Sequence, residues 1–359
     1  MAEPAPKTWI LVTDKAGDAA QLRALARAAG LAAEDKQLAF NGLARIPNVL
    51  FGASRAALRE AKSSALDPPW PDLVLSSGRR SVPVARWIKR QSGGRTLLAH
   101  VGRPWGRLGW FDLVFAMPQY GLARRDNVFA ARMPFNALAP AAIERGVAAW
   151  TPRLAGKPRP FIAVLLGGPS RPLVFDADTA RALGQSVAAR ARALGGTVLL
   201  STSRRTPREA ADAAIKPLDP AHDVIYRFRA GDPDNPYAAF LALADEVVVT
   251  GDSASMLAEA LRSGKKVSVA PLRLQPDFRR RAVDFWRGLL PAPLFALLVD
   301  LGLVASLRDL PRLQESLRRE RLIGQPGQPT DDLVPLDDDL PRAALRLRAL
   351  LAAHGRALP

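Results

Sequence analysis

Gly251, Asp252, Ser253 and Ser255, followed by Glu259, are the residues of this chain best suited by type and spacing to hold an anionic ligand. The apolar run 246–250 reads as a buried strand, 251–255 as a tight turn of small and hydroxyl residues, and 254–262 as a helix closed by Gly264. A second strand follows over 266–270. Such a turn sets unpaired backbone N–H groups at a helix N-terminus, where they and the helix dipole favour a phosphate. Glu259, one helical turn on, presents a carboxylate able to accept from two neighbouring hydroxyls, such as those of a ribose. An ordinary strand–helix junction has the same pattern, with Asp252 or Ser253 as N-cap and Glu259 on a solvated face. Spacing alone leaves the two readings level.

Three further candidates lie earlier. Asp18 ends a loop between a strand over 8–13 and a helix over 19–29, and is either the N-cap or a carboxylate poised as a general base. Arg79 and Arg80 follow a strand over 73–76 and lead into a helix over 82–90, where a basic pair meets an anion or merely solvates the helix start. His100 closes a strand over 96–101 and reads first as a hydrogen-bonded core residue, second as a catalyst.

These residues hang on a strand–loop–helix rhythm that runs twice, which predicts an α/β protein with mostly parallel sheets. Residues 1–150 hold the first run, with weak strands over 36–40 and 48–51, a helix over 54–64 and strands over 113–115 and 127–133. The proline- and glycine-rich stretch 151–160 reads as a linker. The second run, 161–340, restarts with a strand over 161–166, the loop Gly167-Gly168-Pro169-Ser170 and a helix over 179–194. A strand over 197–201, the turn Thr202-Ser203-Arg204-Arg205, a helix from 206, a strand over 223–229 and a helix over 237–244 follow. It ends in a helical extension with a basic helix over 307–321, and a closing helix within 341–359 is expected to cross back to the first half.

Composition narrows the chemistry. The chain of 359 residues has no cysteine, which removes disulfides and thiolate chemistry, and three scattered histidines argue against a metal site. Its net charge of +17 favours an anionic partner. Nucleic acid is not expected, because no basic stripe interleaved with aromatics and no nucleic-acid-binding motif is present. The N-terminal residues lack the apolar core of a signal peptide, and the apolar run 288–305 is broken by Pro291, Pro293 and Asp300. A cytoplasmic protein is expected. The basic and aromatic stretch from Arg279 to Trp286 is either a helix packed on the sheet or a surface resting on anionic lipid at the inner face of the membrane, with Phe285 and Trp286 at headgroup level.

A Gly-Gly loop opening the second half and a Gly-Asp-Ser turn with a following Glu make the layout similar to the GT-B glycosyltransferases, including the lipid-linked N-acetylglucosamine transferase of peptidoglycan synthesis. A closer series resembles the bacterial members of the "elongated mitochondria" family, a mitochondrial-fission domain also described as a glycosyltransferase. It comprises Lys15-Ala16-Gly17-Asp18 with Gln21, Ser76-Ser77-Gly78-Arg79-Arg80, His100-Val101-Gly102-Arg103-Pro104, Pro118-Gln119-Tyr120, Pro134-Phe135-Asn136, Gly167-Gly168-Pro169-Ser170, Thr202-Ser203-Arg204-Arg205-Thr206-Pro207, Asn235-Pro236-Tyr237 and residues 249–260. The resemblance implies a GT-B-like fold of two Rossmann-like domains facing across a cleft, and sugar transfer from a nucleotide-sugar without metal or cofactor. It implies donor binding by Gly167, Gly168, Ser170, Ser203, Arg204, Arg205, Gly251, Asp252, Ser253, Ser255, Met256 and Glu259. Asp18 would be the base, with Lys15, Arg79, His100, Arg103 and Asn136 binding a lipid-linked or envelope glycan acceptor. A non-catalytic membrane adaptor and a sugar-nucleotide epimerase are the alternatives on the same fold.

Overall fold

The computed structural model describes residues 5–120, 122, 125–170, 172–275, 278–291, 294–295, 297–298, 309–328 and 330–356. The chain divides into two compact units, Met1–Asn136 with Phe278–Asp309 and Asp338–Pro359, and Ala137–Asp277 with Leu310–Asp337.

The first unit is built on six parallel strands, β1 (Thr8–Val12), β2 (Ala33–Gln37), β3 (Leu73–Ser77), β4 (Leu97–Val101), β5 (Leu113–Ala116) and β6 (Val128–Ala130), in the order β2-β1-β3-β4-β5-β6. β1, β3, β4 and β5 are buried along their whole length, which is why they read as continuous apolar runs rather than alternating ones. Helices α1 (Ala16–Ala28) and α3 (Ser81–Gln91) pack on this sheet, and one core cluster joins Trp9, Leu11, Val74, Val82, Ile88 and Leu98.

Two stretches of this unit depart from their sequence reading. Residues 48–51 form a short helix, α2 (Asn48–Phe51), instead of a strand. The cause is non-local: the buried Asn48 donates from Nδ2 to the carbonyls of Arg79 and Pro104, each at 3.0 Å. Residues 54–64 hold only a 3-10 turn over Glu60–Lys62 instead of a helix, because Ser63 and Ser64 accept from the amides of Ala39 and Gln37 at 3.0 and 2.9 Å.

The second unit begins earlier than the expected linker. Helix α4 (Pro140–Trp150) packs on a later helix, with the Trp150 ring edge-on to Phe240 at 5.2 Å and its Nε1 donating to the carbonyl of Asp234 at 3.1 Å. The boundary expected after residue 150 therefore falls at 136/137, and residues 151–160 belong inside the second unit, where Leu154 is buried.

Its sheet contains β7 (Phe161–Leu166), β9 (Thr197–Thr202), β10 (Val224–Tyr226), β11 (Glu246–Thr250) and β12 (Lys266–Ala270), all parallel, in the order β10-β9-β7-β11-β12. A separate antiparallel ribbon pairs β8 (Leu173–Val174) with β13 (Arg273–Leu274). The helices are α5 (Ala177–Leu194), α6 (Arg208–Ile215), α7 (Tyr237–Leu243) and α8 (Ala254–Arg262).

The chain then alternates between the units. Helix α9 (Phe278–Leu289) belongs to the first, α10 (Leu310–Arg319) to the second, and α11 (Asp339–Ala352) again to the first, where it packs on α1. Asp339 at its start accepts from the amide of Arg132, and Arg346 donates to the carbonyl of Asp126 at 3.0 Å. The second unit thus lacks residues 278–309, which were read as part of it; their helical and basic character carries no information about which sheet they join.

Each sheet has one point where its connections change direction. In the first unit it lies between β1 and β3; in the second it lies between β7 and β11. In open parallel sheets the crevice outside the strand ends at such a point is where ligands bind.

Candidate functional site

At the β7/β11 switch point the backbone is wired to itself. Asp252 turns inward, and its carboxylate, with no exposed side-chain surface, accepts from the Gly168 amide at 2.9 Å, Thr250 Oγ1 at 2.6 Å and Arg205 Nη2 at 2.8 Å. Thr250 Oγ1 itself accepts from the Gly167 amide at 2.7 Å. Burial pushes the Asp252 carboxyl above its ordinary pKa, against the pull of these donors. On the other side, Thr206 Oγ1 lies 2.9 and 2.6 Å from the carbonyls of Leu166 and Gly167 and accepts from the Ser203 amide at 2.8 Å.

This wiring corrects the reading of the Gly-Gly loop. The amides of Gly167 and Gly168, expected to cradle a diphosphate, are taken up by Thr250 and Asp252, because buried N–H groups pair with the nearest acceptor. The glycines are there for close approach. A Cβ on Gly167 would stand 2.2 Å from Asp252 Oδ1, and one on Gly168 2.1 Å from the carbonyl oxygen of Arg205. Ser170 is likewise engaged, in a bridge with Leu173 at 3.1 and 2.9 Å.

The turn into α8 is where the reading of a helix N-terminus stands. Ser253 is the N-cap, its Oγ accepting from the Met256 amide at 3.3 Å. Gly251 donates to the Ala270 carbonyl at 3.0 Å and accepts from Gln314 Nε2 of α10 at 2.7 Å. Ser253, Ser255 and Met256 remain half-buried on the first turn. Glu259, also half-buried, accepts from the hydroxyl of Tyr237. Burial raises the Glu259 carboxyl pKa, and burial together with the Glu259 charge raises that of the Tyr237 phenol well above its usual value. In the β9–α6 turn, Arg205 reaches Asp252, while Ser203 and Arg204 line a cavity of about 560 Å³.

At the β1/β3 switch point of the first unit a pocket of about 160 Å³ is lined by Thr13, Lys15, Asp18, Ser77, Arg79 and Arg80. Helix α1 starts at Ala16, so Lys15 is the N-cap and Asp18 a buried residue of the first turn rather than the cap itself. Gly78, at φ +77°, passes so close that a Cβ there would lie 3.3 Å from Asp18 Oδ2. Lys15 is exposed. Arg79 donates to the carbonyls of Ala44, Arg45 (3.1 Å) and Ile46 (3.0 Å), and burial followed by the Arg80 charge lowers its pKa. Arg80 pairs with Asp14.

The other expected acceptor residues are interior. His100 is fully buried, with Nδ1 2.9 Å from Ser76 Oγ and its ring against Phe111 at 4.9 Å; burial lowers its pKa to about 3, so the imidazole is neutral. Arg103 is buried and donates from Nη1 to the Tyr120 carbonyl at 3.0 Å. Asn136, also buried, donates to the carbonyl of Gly17 at 2.9 Å. These bonds tie the three to strand ends and to the start of α1.

On α9, Phe285, Trp286 and Leu289 are exposed, the two rings 5.8 Å apart; the side chain of Arg279 lies outside the described residues, as do residues 292, 293, 296 and 299–305 of the apolar run. Among the described residues no helix is long and apolar enough to cross a membrane, and no three acidic or histidine side chains gather as a metal site. Sequence reasoning missed Thr250, Thr206, Tyr237 and Gln314. A hydroxyl closing an apolar strand was the available sign for Thr250; the partners of the others are 22 to 63 residues away in the chain.

A family model described as mitochondrial fission ELM1 matches residues 16–291. The mitochondrial fission protein ELM1 of Arabidopsis thaliana is 26% identical over 221 residues, 55% of this chain and 51% of the plant protein, so the chain spans about half the length of that relative. An uncharacterized protein, RP120, of Rickettsia prowazekii (strain Madrid E) is 25% identical over 291 residues, covering 73% of this chain and 82% of that one. The structure of a UDP-GlcNAc 2-epimerase from Methanocaldococcus jannaschii is similar with a TM-score of 0.51 and 12% identity, over 97% of this chain and 99% of that one. At that identity the likeness concerns the fold, which is GT-B-like: two Rossmann-like units with a helical C-terminal region.

Proposed function

We infer the function from one premise, that the chain belongs to the family described as mitochondrial fission ELM1, and propose that it is a glycosyltransferase using a nucleotide-sugar. The second unit binds the donor, and the first binds a lipid-linked or cell-envelope glycan acceptor. The observation that supports this best is the first turn of α8, set at the β7/β11 switch point with Glu259 one turn further on.

The diphosphate meets the α8 amides of Ala254 and Ser255, and the Arg205 guanidinium, paired with Asp252 two residues before Ala254, supplies positive charge. Tyr237 holds Glu259 Oε2, leaving Oε1 to accept from a ribose hydroxyl. Asp18 accepts the proton of the acceptor hydroxyl as its oxygen bonds to the sugar carbon. The bond from that carbon to the diphosphate breaks, and the leaving charge develops on the group the α8 turn holds. Lys15 is the exposed cation beside Asp18 for an anionic acceptor.

Calorimetric titration with UDP-, GDP- and CMP-sugars tests the donor site. At least one is expected to bind, and Glu259→Ala to weaken it by about tenfold or more, the equivalent of ~1.4 kcal/mol. Binding of none, or binding indifferent to Glu259→Ala, overturns the reading. Asp18→Asn is expected to keep donor binding and lose turnover.

The aromatic pair on α9 favours a second, compatible role. Phe285 and Trp286 with the exposed Arg281 and Arg287 suit a peripheral position on the anionic inner face of a membrane, the position an adaptor on this fold would take. Sedimentation with anionic and neutral vesicles checks it: the chain should follow only the anionic ones, and Phe285→Ala/Trp286→Ala should release it.

A further inference from the structure

Arg204 and Arg205 are adjacent on the β9–α6 turn and serve different places. Arg205 reaches inward to Asp252 at 2.8 Å. Arg204 lines the cavity of about 560 Å³ at the ends of β9 and β10, which Gly167, Gly168, Asp252 and Glu259 do not line. The turn that carries both is pinned, since the Ser203 amide and Oγ lie 2.8 and 3.0 Å from Thr206 Oγ1.

The cavity is strongly biased in charge. Arg204, Arg208 and Arg227 face it with one carboxylate, Asp212, which pairs with Arg227 at 2.6 Å and lies 4.0 Å from Arg208. Two guanidinium charges are left in excess. Guanidinium forks match phosphate oxygens in pairs, and where several converge they select a phosphate over a carboxylate-sized monoanion. The volume, in the range of small-molecule sites of roughly 300–1,000 Å³, is far more than a bare phosphate fills. The remaining wall supplies a half-buried aromatic ring, Phe228, held in place by its amide, which donates to Thr202 Oγ1 at 2.8 Å. A flat or apolar group packs well there.

We propose that this cavity binds a phosphate ester, a small phosphorylated molecule with a flat or apolar portion, at a site separate from the one assigned to the donor diphosphate. Arg204 and Arg208 hold the phosphate and Phe228 faces the organic part. The site does not depend on the second unit binding a nucleotide-sugar.

Phenyl phosphate and inorganic phosphate, titrated calorimetrically at constant ionic strength, are the probes. Phenyl phosphate should saturate at low millimolar concentration or below and bind more tightly than inorganic phosphate. Arg204→Ala/Arg208→Ala should weaken it at least tenfold. Arg181→Ala, which removes a charge from an exposed pair with Asp178 on α5, should change nothing. In the unaltered protein, hydrogen exchange should slow over residues 202–208 when phenyl phosphate is added. Absence of saturable binding overturns the proposal. So does equal weakening by Arg181→Ala, which would mean attraction to the basic chain as a whole. Displacement of phenyl phosphate by a nucleotide-sugar that binds this protein would merge the two sites and overturn their separation.

Discussion

Where β7 and β11 end, two glycine amides, a threonine hydroxyl and an arginine all converge on one another through a buried aspartate. Where β1 and β3 end, in the same place of a sheet of the same design, a small pocket is left with a lysine and a carboxylate beside it. The two switch points show that topology provides a crevice without deciding its contents. In the second unit the strand-end groups satisfy each other, and the half-buried first turn of α8 and Glu259 lie further out along the chain. In the first unit the conserving work is done by side chains set further back, Arg103 and Asn136, and the crevice itself stays accessible.

Substitutions at the glycines should separate the two sharply. Gly168→Ala drives a Cβ into the backbone carbonyl of Arg205, which cannot swing aside, and is expected to destabilise the protein by about 3 kcal/mol or more in urea unfolding. Asp252→Ala comes next, at about 2 kcal/mol, since it strands a buried amide and hydroxyl while water takes over part of the half-exposed Arg205. One contribution to the acid limb of stability comes from the first unit. His100 titrates near 3 in the fold and near 6.5 when unfolded, so between those values the unfolded chain binds a proton that the fold excludes. The stability from neutral His100 is full above pH ~6.5 and is lost as pH falls toward ~3, with a slope approaching ~1.4 kcal/mol per pH unit. His100→Gln should flatten that limb in unfolding curves at pH 7, 5 and 4. Smallest is Gly78→Ala, expected to cost about 1–2 kcal/mol for its left-handed backbone, with a contact to Asp18 loose enough to relax. If Gly78→Ala proved as damaging as Gly168→Ala in the same assay, the contrast between an open and a filled switch point would be lost.

Much of the second sheet was legible. The runs 161–166, 246–250 and 266–270 are strands over those residues, and α8 spans 254–262 as its spacing indicates, because buried parallel strands and a serine N-cap leave strong local marks. What was not legible depends on distant partners. Asn48 needs carbonyls 31 and 56 residues away to bend 48–51 into a helix, and the Gly167 and Gly168 amides find acceptors 83 and 84 residues later. Helix α4 hides in an alanine-rich stretch whose only deeply buried residue is Trp150. For the candidate site, a shared pocket sets Lys15, Asp18 and Arg79 apart from His100, Arg103 and Asn136, a distinction that no spacing encodes.

The last helix of the chain has a consequence for how the protein is made. α11 lays Ala343, Leu347 and Leu351, all essentially inaccessible to water, into a unit whose sheet lies within the first 136 residues. As the polypeptide leaves the ribosome, that apolar surface stays uncovered through synthesis of the whole second sheet and closes only after residues 339–352 have emerged. The nascent chain is therefore a natural client for chaperones, and a gene cut between the two halves would yield an N-terminal product with its core left open.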